Sequence, residues 1–405
     1  MNNMKIAFFS IPAHGHTNPT LEVVRELVQR GHEIRYYSFG PFQEKIEATG
    51  AQFCSCDFVN EQMEITKEEG ANVGQDVGLS IELLVNTTLA LDETISIEMK
   101  EWRPDCIVAD SMAVWGKFVA LKFNIPFVSS TTTFAFNQYS SKIMKQSVGQ
   151  MFGLLKSMPK IQRALKKLKK AGYPVKNLLS IIQNENDTNT IVYTSREFQP
   201  CAETFSENYA FVGPLIRQTE MEPDKELIEM LEGDNGKKLI YISLGTVNNK
   251  FVEFYKACIK GFGNTQYQVI LSVGEMTELS EFEEIPENII IRNYVNQIEV
   301  LKKADAFISH CGMNSVSESL YYEVPLVLYP QTAEQGAVAR RVFELGAGKY
   351  LKKEDADSLK NTIWEILTNP GYKENAKRIG EGFRKSGGVK EAVHRIENMK
   401  NGSHF

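Results

Sequence analysis

Apolar residues gather along the chain in short continuous runs, separated by longer stretches in which hydrophobicity falls on one side only. The first run, KIAFFSI at residues 5–11, has strand length and no polar alternation. That is the pattern of a strand buried on both faces, as in a parallel sheet. A polar loop, AHGHTNP, follows, and then Leu21, Val24, Leu27 and Val28 line one face of a helix. Asn18 can cap that helix with Pro19 in its first turn, and Gly31 ends it. Residues 32–39 read as the next strand, so the opening is a right-handed β-α-β unit.

The alternation continues. Strands are expected at 51–56, 106–110, 126–130 and 190–194, with helices between them, notably around 81–102. The stretch YAFVGPLIRQTEMEPDKE, 209–226, carries Gly, Pro and charge and reads as a linker. A second series follows it: KLIYISLG (238–245), QVILSVG (268–274), NIIIRNY (288–294), AFISHCG (306–312) and PLVLYP (325–330), each ahead of a helical pattern. The predicted fold class is α/β, with two doubly wound, Rossmann-like domains at 1–216 and 238–405 joined by a linker at 217–237. Such domains take ligands at the carboxyl ends of their strands, here in a central cleft, and the last helices, 371–400, are placed to pack back across it. A length of 405 residues, more than one core usually serves, agrees with two domains.

Composition changes this picture only at the margins. With 42% hydrophobic and 24% charged residues the chain reads as an ordinary globular protein. Its six scattered cysteines suggest a reduced, cytoplasmic protein, and the only close pair, Cys54 and Cys56, has no second pair or nearby histidine to complete a metal site. The uninterrupted apolar or small run at 6–12 is too short to span a membrane. Net charge is −6, but residues 111–184 contain no acid and twelve Lys or Arg. Within that segment, 159–170 reads as a basic helix with Ile161, Leu165 and Leu168 on one side. It is expected as a solvated, mobile helix near the acceptor mouth, with a membrane-surface helix as the alternative.

A doubly wound domain invites a nicotinamide or flavin enzyme, yet no G-x-G-x-x-G occurs anywhere in the chain. At the first strand-to-helix turn stand His14 and His16 instead, two of only six histidines. A histidine there points into the cleft, and imidazole is the most frequent general base. Asp110, ending another strand of the same sheet, is the candidate carboxylate for its far ring nitrogen, or else a helix cap for the segment from Met112. In the second half His310, Gly312, Asn314 and Ser315 fall at a strand-to-helix turn suited to a phosphate. From pattern alone Ser315-Val316-Ser317-Glu318 is a capping box. Ser243, Gly245 and Thr246 form a second small-residue turn that suits an anion or a plain loop.

The loop AHGHTNP together with HCGMNSVSE…PQTAEQ resembles the family 1 nucleotide-sugar glycosyltransferases, in particular the bacterial macrolide and flavonoid enzymes. The resemblance runs nearly the whole length of the chain. It implies a GT-B fold, with the acceptor bound mainly by the first half and a UDP-sugar mainly by the second. Residue by residue, it implies that His16 rather than His14 is the general base and Asp110 its partner. It makes His310 the diphosphate ligand, places Asn314 and Ser315 around the phosphates and sugar, and puts Glu318 on the ribose. Glu334 and Gln335 fall at the sugar hydroxyls, and Tyr294, Val295 and Gln297 in the nucleoside loop. Tyr294 and Met313 stand where the plant branch has Trp, and Glu334 where it usually has Asp, which loosens the identity of the sugar.

The implied reaction is inverting transfer of a sugar, glucose foremost, from a UDP-sugar co-substrate to a hydroxyl of a hydrophobic small molecule. No cofactor, metal or nucleic acid is expected. Asp355-Ala356-Asp357 is nominally a D-x-D, but it opens a helical pattern where acids complement the dipole. The rival readings are a lipid glycosyltransferase at a membrane surface, a sugar-nucleotide 2-epimerase and a non-catalytic nucleotide-sugar binder.

Overall fold

In the computed structural model of the chain, residues 3–59, 77–140, 148–175, 184, 186–216, 224–233, 236–245 and 251–399 are described, with backbone alone at 77 and 148–156. They divide into two units, Met1–Leu215 with Ser386–Phe405, and Ile216–Lys385.

The first unit is built on a parallel sheet of β1 (Lys5–Phe9), β2 (Glu33–Ser38), β3 (Gln52–Ser55), β4 (Cys106–Asp110), β5 (Phe127–Thr131), β6 (Thr190–Val192) and β7 (Tyr209–Phe211). Their order is β3-β2-β1-β4-β5-β6-β7, so the winding reverses between β1 and β4. The period-2 geometry of a strand splits the first apolar run between two cores. Ile6 and Phe8 join Val108, Val128, Leu21, Val24 and Leu27 on one face. Ala7 and Phe9 join Ile107, Ala109, Ile95, Met99 and Trp115 on the other.

Helix α1 (His14–Gln29) follows β1, and α2 (Gln43–Glu47) follows β2. Next come α3 (Val77–Trp102), α4 (Val114–Phe123) and α5 (Val148–Lys170). α4 lies close to the sheet because Gly116 has no side chain: a Cβ there would come 2.5 Å from that of Ala109 and 3.0 Å from that of Phe9.

The second unit repeats the plan. Strands β8 (Leu239–Ser243), β9 (Gln268–Ser272), β10 (Ile289–Arg292), β11 (Ala306–Ser309), β12 (Leu326–Leu328) and β13 (Gly348–Tyr350) are parallel, in the order β10-β9-β8-β11-β12-β13. Around them lie α6 (Lys225–Glu232), α7 (Val252–Phe262), α8 (Gln297–Leu301), α9 (Met313–Tyr321), α10 (Ala333–Glu344), α11 (Ala356–Thr368) and α12 (Pro370–Arg384).

Several expectations need correction. The stretch 209–226 opens with β7, and the linker placed at 217–237 contains α6, whose cap Asp224 accepts from Leu227 N–H at 3.0 Å and from Arg292 Nε at 2.7 Å. Of the last helices, expected to pack back from the second domain, α12 stays in the second unit and only the final helix, α13 (Gly388–Glu397), belongs to the first. There Ala392, Val393 and Ile396 fill the core beside Leu21 and Leu27. Its Glu397 receives Arg30 at 2.9 Å and His32 Nε2 at 3.0 Å.

The basic helix is part of α5, which runs past Pro159 without a break. Ile161, Ala164 and Leu168 are buried against Ile81, Val85 and Phe118, leaving Lys160, Lys166, Lys167, Lys169 and Lys170 exposed. Its apolar stripe is committed to the interior of the protein, not to a bilayer. Among the described residues no helix is long and apolar enough to cross a membrane.

Candidate active site

Parallel pairing puts the carboxyl ends of β1, β4 and β5 side by side, with Phe9 opposite Ala109 and Asp110 opposite Ser130. His16 rises beside them in the first turn of α1. The histidines are therefore helical, not in a loop: α1 begins at His14 with Ala13 as an extended N-cap, and Asn18 and Pro19 lie inside it. Backbone bonds from His16 and Thr17 N–H to the Ala13 carbonyl close that turn at 3.0 and 2.9 Å, so no Asn18 cap is needed.

His16 Nδ1 is 2.9 Å from Asp110 Oδ2; the carboxylate side chain is fully buried and the imidazole 20% exposed. A carboxylate only accepts, so the contact places the ring proton on Nδ1 and the lone pair on Nε2. The other oxygen, Asp110 Oδ1, accepts from Met112 N–H at 2.8 Å, so Asp110 holds the following turn as well as the histidine. Thr132 Oγ1 lies 3.1 Å from the same Nδ1. His14 is exposed, edge-on to Phe42 at 5.0 Å, with Nδ1 3.4 Å from Lys45 Nζ.

A buried hydroxyl layer adjoins this pair. Thr20 meets Tyr36 at 2.7 Å, Ser10 meets Thr17 at 3.2 Å, and Ser130 donates to Tyr193 at 3.1 Å. Burial pushes the Tyr36 hydroxyl up to about 12, and Tyr193 is raised for the same reason. Sequence reasoning missed Thr132 and these tyrosines, although a run of hydroxyl residues across the end of a strand, SSTTT at 129–133, was a signal in plain view.

In the second unit the neighbours β8 and β11 end in two tight turns. Gly245 has φ +86° and Cys311 φ +66°. The His310 ring sits between Gly245 and Gly312, and a Cβ on either would fall 2.7 Å from its Nε2. Only glycine leaves that room. His310 Nδ1 is buried without a hydrogen-bond partner, and burial holds the ring down at about 4, opposed in part by the Ser243 backbone. The imidazole is neutral at pH 7, with an unused polar atom, beside the start of α9.

Glu318 is not part of a capping box. α9 starts at Met313 with Gly312 as N-cap and no side-chain cap, which puts Ser315 and Glu318 too far along the helix to satisfy its first amides. Instead Gln297 Nε2 donates to Glu318 Oε2 at 2.5 Å, while Gln297 Oε1 accepts from Tyr241 at 3.2 Å. Desolvation raises the Glu318 carboxyl to about 7 against the pull of Gln297.

Nearby, Asn293 Nδ2 donates to the Gly274 and Thr277 carbonyls, both at 2.8 Å, fixing the turn on which Tyr294 shows 53% of its surface and Val295 is buried. Met313 is buried, and Asn314 and Ser315 follow it in the first turn of α9. Glu334 is exposed in the first turn of α10. Gln335 closes a capping box there: its Oε1 accepts from Thr332 N–H at 3.1 Å and its own N–H reaches Thr332 Oγ1 at 3.3 Å. Ser243 accepts from Gly245 N–H at 3.4 Å, and Thr246 lies outside the described residues. Asp355 of the D-x-D caps α11 by accepting from Ser358 N–H at 2.7 Å.

Residues 257–399 match the family described as erythromycin biosynthesis protein CIII-like, C-terminal domain. The chain is 35% identical over 405 residues to NDP-glycosyltransferase YjiC of Bacillus licheniformis, covering 98% of each chain. It is 34% identical over 398 residues to the uncharacterized UDP-glucosyltransferase YojK of Bacillus subtilis, covering 96% of each. Among solved structures, the calicheamicin glycosyltransferase CalG4 superposes with a TM-score of 0.80 at 25% identity over 98% of both chains. Sequence identity along its whole length and a shared GT-B fold place the chain in the family 1 bacterial glycosyltransferases.

Proposed function

We propose that this glycosyltransferase moves a sugar, glucose foremost, from a UDP-sugar to a hydroxyl of a hydrophobic small molecule such as a macrolide, flavonoid or other phenolic, with inversion and without a metal or cofactor, in the cytoplasm. The observation that carries the reading is the 2.9 Å contact between His16 Nδ1 and the buried Asp110. It leaves Nε2 as the basic atom. The acceptor hydroxyl gives its proton to Nε2 as its oxygen attacks the anomeric carbon, and the bond from that carbon to the diphosphate oxygen breaks. Asp110 stabilises the imidazolium so formed.

The donor half supports the leaving group. His310, with its ring lodged between two glycines, and the first amides of α9 face the departing diphosphate. Glu318 and Gln297 take the ribose, Tyr294 stacks on the base, and Glu334 and Gln335 reach the sugar hydroxyls. The names of the Bacillus relatives favour UDP-glucose as donor. The antibiotic enzymes favour a bulky natural-product acceptor.

The test is a mass-spectrometric screen of purified protein with UDP-glucose and other UDP-sugars against phenols and macrolides, with and without chelator. Transfer is expected with UDP-glucose in both conditions. His16→Ala should nearly abolish transfer while donor binding persists. UDP-sugar turnover without any acceptor would favour an epimerase instead.

A further inference from the structure

Three adjacent strands of the first sheet converge on a single imidazole nitrogen, one supplying the ring and two supplying oxygens to it. His16 comes on the helix after β1, Asp110 ends β4, and Thr132 is the first residue past β5. Thr132 Oγ1 is 3.1 Å from His16 Nδ1, the nitrogen that Asp110 Oδ2 approaches to 2.9 Å, and Thr132 is 5% exposed. We propose that Thr132 is a positioning residue for the acceptor-activating base, a second oxygen on the Nδ1–H that fixes the plane of the His16 ring. The inference rests on the reading of His16 as that base.

One hydrogen bond does not fix an imidazole. The outer side-chain torsion of histidine has broad wells, and a ring held only through Asp110 keeps the freedom to swing about the line joining Nδ1 and Oδ2. That swing moves Nε2, the atom that must meet the acceptor hydroxyl, by more than it moves Nδ1. A second oxygen on the same N–H, carried by a different strand, removes it. Positional error of the order of an ångström at a reacting group is enough to cost about a hundredfold in rate, so a smaller swing accounts for a smaller loss.

Thr132 also biases the proton. A hydroxyl oxygen accepting from Nδ1–H holds the imidazolium more strongly than the neutral ring, so its removal makes His16 a weaker base. Among the described residues, titratable groups near the His16–Asp110 pair include Tyr36 from β2 and Tyr193 after β6, with His14 and Lys45 in contact with each other at 3.4 Å near the start of α1. Burial keeps both tyrosines protonated through the range in which imidazole titrates. Their charge does not change across the experiment.

The test needs no knowledge of the acceptor. Full-length protein carrying ring-labelled histidine is titrated by NMR, with the His16 signal identified by its absence in His16→Ala. In Thr132→Val the His16 titration is expected about half a pH unit lower than in the wild type, and in Thr132→Ser back at the wild-type position. Turnover with UDP-glucose and a macrolide alcohol, which does not itself ionise, should fall about tenfold in kcat for Thr132→Val with KM for UDP-glucose held within about twofold. A His16 titration unmoved in Thr132→Val overturns the proposal whatever happens to kcat, as does failure of serine to restore it. If valine unfolds the chain, Thr132→Ala takes its place. Transfer retained in His16→Ala would sink the underlying assignment of the base, a result distinct from either of these.

Discussion

The affinity of the second unit for a nucleoside should fall as the medium is acidified, and one carboxyl should account for the fall. Glu318 is raised from the ordinary 4.5 to about 7 because it is desolvated beside Tyr241, Gln297 and Ser315. A displacement of that size makes ionisation in the free protein cost at most about 3 kcal/mol. Two ribose hydroxyls donating to the carboxylate return about 1.5–3 kcal/mol each, enough to bind the charged form and expel the proton. Apparent affinity therefore scales with the ionised fraction, and dissociation constants should rise about tenfold between pH 8 and pH 6.

Uridine is the probe of choice, because the diphosphate of a UDP-sugar would also draw a proton onto His310, held near 4 in the free protein. Calorimetry at pH 6 in buffers of different ionisation enthalpy should show about 0.9 proton released per uridine bound, and almost none at pH 8. In Glu318→Gln both the release and the pH dependence should vanish. The sign for stability is the reverse. A carboxyl raised on folding binds more protons in the native state than in the unfolded one, so Glu318 lowers stability progressively as pH climbs from about 4.5 to 7. Glu318→Gln should thus melt higher than wild type at pH 8 while binding uridine more weakly. A flat affinity profile in the wild type, or an unchanged one in the glutamine variant, would refute the reasoning.

Other outcomes follow from the same geometry. Asp110→Asn should lower kcat by about 10²–10⁴ through the wrong ring tautomer, with calorimetric UDP affinity unchanged; a loss under tenfold would argue against the dyad. Gly312→Ala keeps an ordinary backbone, φ −60°, but sets a methyl 2.7 Å from His310 Nε2, so UDP affinity should drop at least about tenfold and the overpacking should also lower the melting temperature, by about 1–3 kcal/mol of stability. Glu397→Ala removes a partner shared by Arg30 and His32, while Arg30 keeps Glu26 and His32 keeps Met4 N–H, and should lower the melting temperature by a few degrees.

Much of this architecture could be read from the chain because the central strands are buried on both faces, and burial on both faces writes itself as an unbroken apolar run. β7 and β13 escaped notice for the opposite reason. They are three-residue edge strands: GKY opens with glycine and carries a lysine, and YAF, though apolar, runs at once into a Gly-Pro stretch that reads as a loop. The helix starts were misjudged at α1 and α9, where capping residues stood in view but the backbone turned earlier, on Ala13 and Gly312. Ser315-x-x-Glu318 satisfies a local rule that the fold does not use, since the partner of Glu318 is Gln297, 21 residues upstream. Thr132 is the same kind of case: its neighbour His16 is 116 positions away, and only the strand order brings them together.

The return of Ser386–Phe405 to the first unit bears on how such enzymes can be recombined. A chimera spliced once, near residue 216, would pair the first unit of one parent with the final helix of another. Val393 and Ile396 would then have to fit a foreign core, and Glu397 a foreign Arg30 and His32. Exchange of the whole first unit between relatives therefore calls for two crossovers, the second falling between Lys385 and Gly388, so that the tail travels with the core it fills.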